Sequence, residues 1–159
     1  MAPSSSAARE LSKGRLLPAM TAGTVLEWYD LFVYAQASAL VFGKLFFPET
    51  SPTIGTIAAF ATFGVGYLAR PLGSVIFGFI GDKYGRRTAL LGTLFLMGAA
   101  TTLVGALPTY QAVGLTAPVL LVILRLAQGL GAGAEYAGAF VLVAESAPPN
   151  RRGLWASVP

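Results

Sequence analysis

The chain predicts an all-α membrane protein, and three observations carry that reading. Charged residues make up 11% of its 159 residues, where a soluble domain carries about 25%. Hydrophobic residues make up 55% and gather in runs that match the roughly 20 apolar residues a bilayer span requires. Most of the basic residues collect in the gaps between those runs, beside the membrane rather than within it.

The elements follow in order. Residues 1–18 are small and polar, carry Arg9, Lys13 and Arg15, and read as a disordered cytoplasmic tail. A secretory signal would need a shorter apolar stretch without acids. Residues 19–159 hold the membrane domain. Its first span covers about 19–42, long enough at a 1.5 Å rise to reach about 36 Å. The loop 43–52 is short and carries Pro48 and Pro52, which stop helices. The second span covers about 53–81 and the loop 82–87 reads as a tight turn. The third covers about 88–107, and the loop 108–117 has one proline and no charge. The fourth covers about 118–144. After Pro148, Pro149, Arg151 and Arg152, a fifth span begins at about 153.

Loop charge sets the orientation. Three basic residues lie in the tail, three in the second loop (Lys83, Arg86, Arg87) and two before the fifth span, against Lys44 alone on the other side. The amino terminus is therefore expected in the cytoplasm. This arrangement accounts for the net charge of +4 without invoking nucleic acid. With no Cys and no His, disulfides, thiolate metal sites and the commonest general base are excluded. No nucleophile–His pair and no phosphate-binding glycine loop is present. The sequence therefore predicts no enzyme, no metal and no cofactor.

Five ionisable residues fall inside the spans: Glu27 and Asp30 in the first, Arg70 in the second, Arg125 and Glu135 in the fourth. Each costs about 2.5–3.5 kcal/mol at mid-span on insertion scales, so such residues face the protein interior or a wet cavity. Asp30 lies about 17 Å from the cytoplasmic end of its helix, and Arg70 and Glu135 about 15 Å. Arg125 sits nearer the outer face and is expected to snorkel in part. Glu27, Asp30 and Tyr34 share a helix face at i, i+3 and i+7; Gln128, Gly131 and Glu135 share another, with Arg125 on its shoulder. Two polar stripes at similar depth suggest a common aqueous cavity. Three acids face two arginines, so two ion pairs would leave one acid free to take up a proton. The same charges would equally serve as structural ion pairs locking two helices.

Small residues mark the second and fourth spans. Gly64, Gly66, Gly73 and Gly78 lie in the former, Gly129, Gly131, Gly133 and Gly138 in the latter, at spacings that let backbones approach. Pro71 removes an N–H, frees the carbonyl of Tyr67 and predicts a kink beside Arg70. Gly85 tolerates a positive φ in the second loop, where Asp82 can act on a helix amino terminus.

The stretch Gly78-Phe-Ile-Gly-Asp82-Lys83-Tyr-Gly85-Arg86-Arg87 resembles the signature loop of the major facilitator superfamily, between its second and third spans. Arg125-Leu-Ala-Gln128-Gly129 resembles that superfamily's fourth span. Glu27-Trp28-Tyr29-Asp30, Arg70-Pro71 and Gly133-Ala-Glu135-Tyr136 look like its metabolite:proton symporter branch, which includes transporters of proline and betaine, citrate, α-ketoglutarate and shikimate. Glu145-Ser-Ala-Pro148 and Arg151-Arg152-Gly153 resemble the loop after the fourth span.

The resemblance implies twelve spans in two six-helix halves around a central cavity lined by the first and fourth spans. It makes this chain an amino-terminal fragment of four complete transmembrane helices and the start of a fifth, lacking the carboxy-terminal half. It implies alternating access about a midplane site and proton-coupled symport of a small organic acid or zwitterion, in a bacterial inner membrane. Under that reading Glu27, Asp30, Tyr34, Arg70, Arg125, Gln128 and Glu135 form the proton and substrate cavity. Gly78, Asp82, Lys83, Gly85, Arg86 and Arg87 form the gating loop, with Asp82 latching onto the missing half. A sugar or drug facilitator or antiporter is the same-class alternative; a small four-span channel subunit or structural partner is the other.

Overall fold

The computed structural model describes residues 27–146 together with Val25 and Gly153. The expected tail, the beginning of the first span and the body of the fifth lie outside the described residues.

Helix α1 comprises residues 27–37, a π-helical turn at Ser38–Phe42 and a last turn at Gly43–Phe46. The π-turn changes which side chains align. In a regular α-helix, positions eight apart are about 80° out of line. The wider turn absorbs that drift. Tyr34 and Phe42 meet edge to face at 5.1 Å, and Phe42 and Phe46 at 5.4 Å. Tyr34 and Phe46 are buried with Ala117 and Leu121, and Phe63 packs against them.

Helix α2 spans Pro52–Tyr84. Ser51 caps it, its hydroxyl accepting from Ile54 N at 3.4 Å. Pro52 stands in the first turn, where a missing N–H costs nothing. The helix runs on through Pro71, and Ser74 donates to the Pro71 carbonyl at 2.8 Å. It also runs past the expected end at 81. Asp82, Lys83 and Tyr84 are all compatible with helix, and only Gly85, at φ 92°, breaks it. Helix α3 begins at once and spans Arg86–Gly105. The six-residue turn expected at 82–87 is thus one glycine, and no side chain caps the amino terminus of α3.

A single-turn helix α4, Tyr110–Val113, lies within the expected loop 108–117. Helix α5 spans Thr116–Ser146. Among the described residues, three helices are long and apolar enough to cross a membrane, over Pro52–Tyr84, Thr88–Gly105 and Thr116–Glu135. The described part of α1, residues 27–46, reaches about 30 Å at a helical rise.

Helix α5 is the centre of the bundle. Within its apolar 18-residue stretch 44% of residues are buried, against 17% in the corresponding stretches of α2 and α3. Its closest neighbour is α2, and glycine sets the distance. A Cβ added at Gly129 would fall on the carbonyl oxygen of Gly66. One at Gly133 would fall on that of Arg70, and one at Gly73 on that of Leu130. Gly131 meets α3 instead, beside the Thr93 carbonyl and Met97. Gly64 and Gly78, read as part of the same stripe, face open space. With no hydrophobic force between helices in lipid, such backbone contact is what brings them together.

Candidate functional site

The close approach of α2 to α5 places the intramembrane charges against one another. Glu27 on α1 pairs with Arg70 on α2, Oε1 to NH2 at 2.9 Å. Asp30, one turn along α1, pairs with Arg125 on α5, Oδ2 to NH1 at 3.5 Å. Glu27 and Arg125 are each 5% exposed, while the side chains of their partners Arg70 and Asp30 are 25% and 18% exposed, so each pair has one buried member and one partly open. A buried pair returns its desolvation cost only when its remaining groups are also satisfied.

A wider network satisfies most of those groups, the buried Arg125 Nε being left without a hydrogen-bond partner among the described residues. The Arg125 guanidinium lies over the Tyr34 ring at 3.9 Å and near the Phe63 ring at 4.8 Å. Its NH1 donates to Gln128 Oε1 at 2.8 Å. Gln128 Nε2 donates to Thr101 Oγ1 at 2.7 Å, and Thr101 donates to Asp30 Oδ1 at 3.2 Å. Tyr34 shares a hydrogen bond of 2.7 Å with Thr62. Gly66 makes room for all this: a Cβ there would sit 3.0 Å from Arg125 Cγ and Nε. Arg70 also lies over the Tyr67 ring at 4.2 Å.

Two expectations change. Arg125 does not snorkel: two aromatic rings and a carboxylate hold it inside, and the planar guanidinium suits that stacked position. The polar stripes of α1 and α5 do not face each other across a wide aqueous space either. The gap between them, lined by Asp30, Met97, Arg125, Gln128 and Ala132, is about 10 Å³, room for a single water. A larger recess of about 190 Å³ opens beside it, walled by Glu27, Trp28, Leu31, Tyr67 and Arg70.

The structure thus brings together Glu27, Asp30, Tyr34, Arg70, Arg125 and Gln128. Glu135 stands two turns further along α5 and forms no ion pair among the described residues. The charge count anticipated one unpaired acid without identifying it. Thr101, Thr62 and Phe63 were not anticipated. Threonine in an apolar span carries no charge signal, and its partners come from helices far apart in sequence.

The residues expected to form a gating loop lie together at the junction of α2 and α3. Gly78, Asp82 and Arg86 line a cavity of about 120 Å³ with Ser74, Ala89 and Thr93. Lys83 lies 5.3 Å from the ring of its neighbour Tyr84. Gly85 supplies the break, and Arg87 opens α3 one residue after Arg86.

Comparison with known proteins adds a family. The profile described as sugar (and other) transporter matches residues 16–159. The shikimate transporter of Escherichia coli strain K12 is 52% identical over 136 residues, covering 86% of this chain and 31% of that protein. The inner membrane metabolite transport protein YhjE of the same strain is 43% identical, covering 93% of this chain and 34% of the relative. The proline/betaine transporter of that strain is 43% identical, covering 92% and 30%. The chain spans about a third of the length of these curated relatives. No solved structure matches it.

Proposed function

The chain belongs to the sugar (and other) transporter family of the major facilitator superfamily, and from that premise we propose that it forms part of a proton-coupled symporter of small organic acids or zwitterions. The observation that carries this reading is the double ion pair. Two acids on one turn of α1 are each matched to an arginine on a different helix. A proton arriving on either carboxylate cancels its charge and releases the arginine. That arginine can then take a substrate carboxylate at two points. Loading of proton and substrate is thereby linked in one place.

Relatives described as transporters of shikimate and of proline and betaine support the substrate class. The open recess beside Glu27 and Arg70 supports the point of entry. The Asp82–Arg86 junction is the gating loop in this proposal, closing against the remainder of the transporter. The amino terminus lies in the cytoplasm of a bacterial inner membrane, following the loop charges.

Uptake by the full-length protein in vesicles, with and without an inward proton gradient, tests the proposal. Gradient-dependent accumulation is expected, and Asp30→Asn should abolish it. Uptake indifferent to the gradient would refute symport and favour a facilitator, which the family's description as sugar transporters also admits.

A further inference from the structure

We infer that Thr101 on α3 is a positioning residue that orients the Asp30 carboxylate against Arg125, an inference that rests on the coupling role proposed for Asp30. The argument is one of hydrogen-bond polarity. Four side chains form a closed ring: Arg125, Gln128, Thr101 and Asp30. Arg125 has donors only. The Gln128 atom facing it, 2.8 Å away, must therefore be the carbonyl Oε1. That choice turns the Gln128 Nε2, a donor, toward Thr101 at 2.7 Å. Thr101 must then accept on Oγ1, and its one hydrogen is sent on to Asp30 Oδ1 at 3.2 Å.

Asp30 thus meets donors on both oxygens, Thr101 at Oδ1 and Arg125 NH1 at Oδ2 at 3.5 Å. An ionised carboxylate, which accepts on both oxygens, makes the stronger charge-assisted bonds to these two donors; a protonated one keeps the geometry but loses that charge. The position at 101 must both accept and donate, which a hydroxyl does and an aliphatic side chain cannot. Its neighbour Thr102 has a different use. It donates to the Gly98 carbonyl of its own helix at 2.8 Å.

The consequence for a symporter is specific. Net accumulation requires Asp30 to give up its proton and stay ionised while the empty carrier returns. Exchange of substrate for substrate across the membrane does not. Removing the Thr101 hydroxyl should therefore impair the first and spare the second.

The test compares proton-driven accumulation with substrate counterflow in vesicles of the full-length protein. Thr101→Val should reduce accumulation about tenfold or more, the scale of a lost hydrogen bond to a charged group, with counterflow at the wild-type rate. Thr101→Ser should restore accumulation, and Thr102→Val should match wild type in both assays. Thr101→Ala, which adds no bulk, gives the same reading if the valine variant fails to fold. Wild-type accumulation by Thr101→Val overturns the inference. So does loss of both activities without rescue by serine, which would mark a packing position. If the wild type itself ignores the gradient, the coupling proposal fails and this inference with it.

Discussion

Replacing Gly129 with alanine adds one methyl group at the most crowded point of the bundle. The added Cβ would overlap the carbonyl oxygen of Gly66 on α2 and lie 3.0 Å from the Ala69 Cβ. Neither neighbour can rotate away, because one is backbone and the other has no χ angle to turn. Relief requires α2 and α5 to separate. Overpacking of a core costs about 1–3 kcal/mol where side chains yield, and here the upper end, about 3 kcal/mol, is expected. Gly64 provides the matched control. A Cβ there meets nothing within 4 Å, and Gly→Ala inside a helix gains about 0.5–1 kcal/mol. That gain is common to both variants, so they should differ by the overpacking cost, about 3 kcal/mol in unfolding free energy. Denaturant titration of the full-length protein in detergent micelles, followed by tryptophan fluorescence, measures that difference. Uptake should fall with Gly129→Ala as well, because Gly66 also lies against Arg125. Equal stability of the two variants would refute the claim that backbone contact sets the α2–α5 distance.

Arg70→Gln leaves the Glu27 carboxylate buried without its partner, a loss of about 3–5 kcal/mol; the double variant with Glu27→Gln should recover most of it in the same titration. Gly85→Ala forces a side chain into φ 92°, ψ 143°, a region close to glycine-only, and should cost about 1–3 kcal/mol by the same measurement. In the loops, the Tyr110 hydroxyl donates to Glu49, and that bond raises the phenol above its ordinary value near 10. The contribution of this contact is therefore complete below pH 10 and lost as pH rises through the raised value. Tyr110→Phe should lower the melting temperature at pH 8 and make no difference once Tyr110 is ionised.

Much of this architecture is legible in the sequence because a bilayer punishes exceptions. Long apolar runs and their basic flanks locate the helices. An intramembrane Glu27, Asp30, Arg70 or Arg125 announces itself by its cost. Pairing is harder to read. Periodicity places Glu27 and Asp30 on one face, but it cannot say that Glu27 takes Arg70 and Asp30 takes Arg125. That depends on the depth at which α2 and α5 cross, which Gly66, Gly129 and Gly133 decide through contacts across the chain. The inward turn of Arg125 follows from Tyr34 and Phe63, two aromatics that look like ordinary core in isolation. The π-turn at Ser38–Phe42 left no mark in a hydropathy pattern tuned to 3.6 residues. The one-residue junction at Gly85 was hidden because Asp82 and Lys83, polar and charged, read as loop although helix tolerates them.

The double pairing of Glu27 with Arg70 and Asp30 with Arg125 also has an electrical meaning. The four charges sum to zero, so as a group they exchange little work with the membrane potential, which acts at about 2.3 kcal/mol per elementary charge per 100 mV. Under the symport proposed above, a carrier built on such a neutral centre would change its access without being driven or held by voltage, and its current would report the proton and the cargo, with Glu135 the acid left over to add to it.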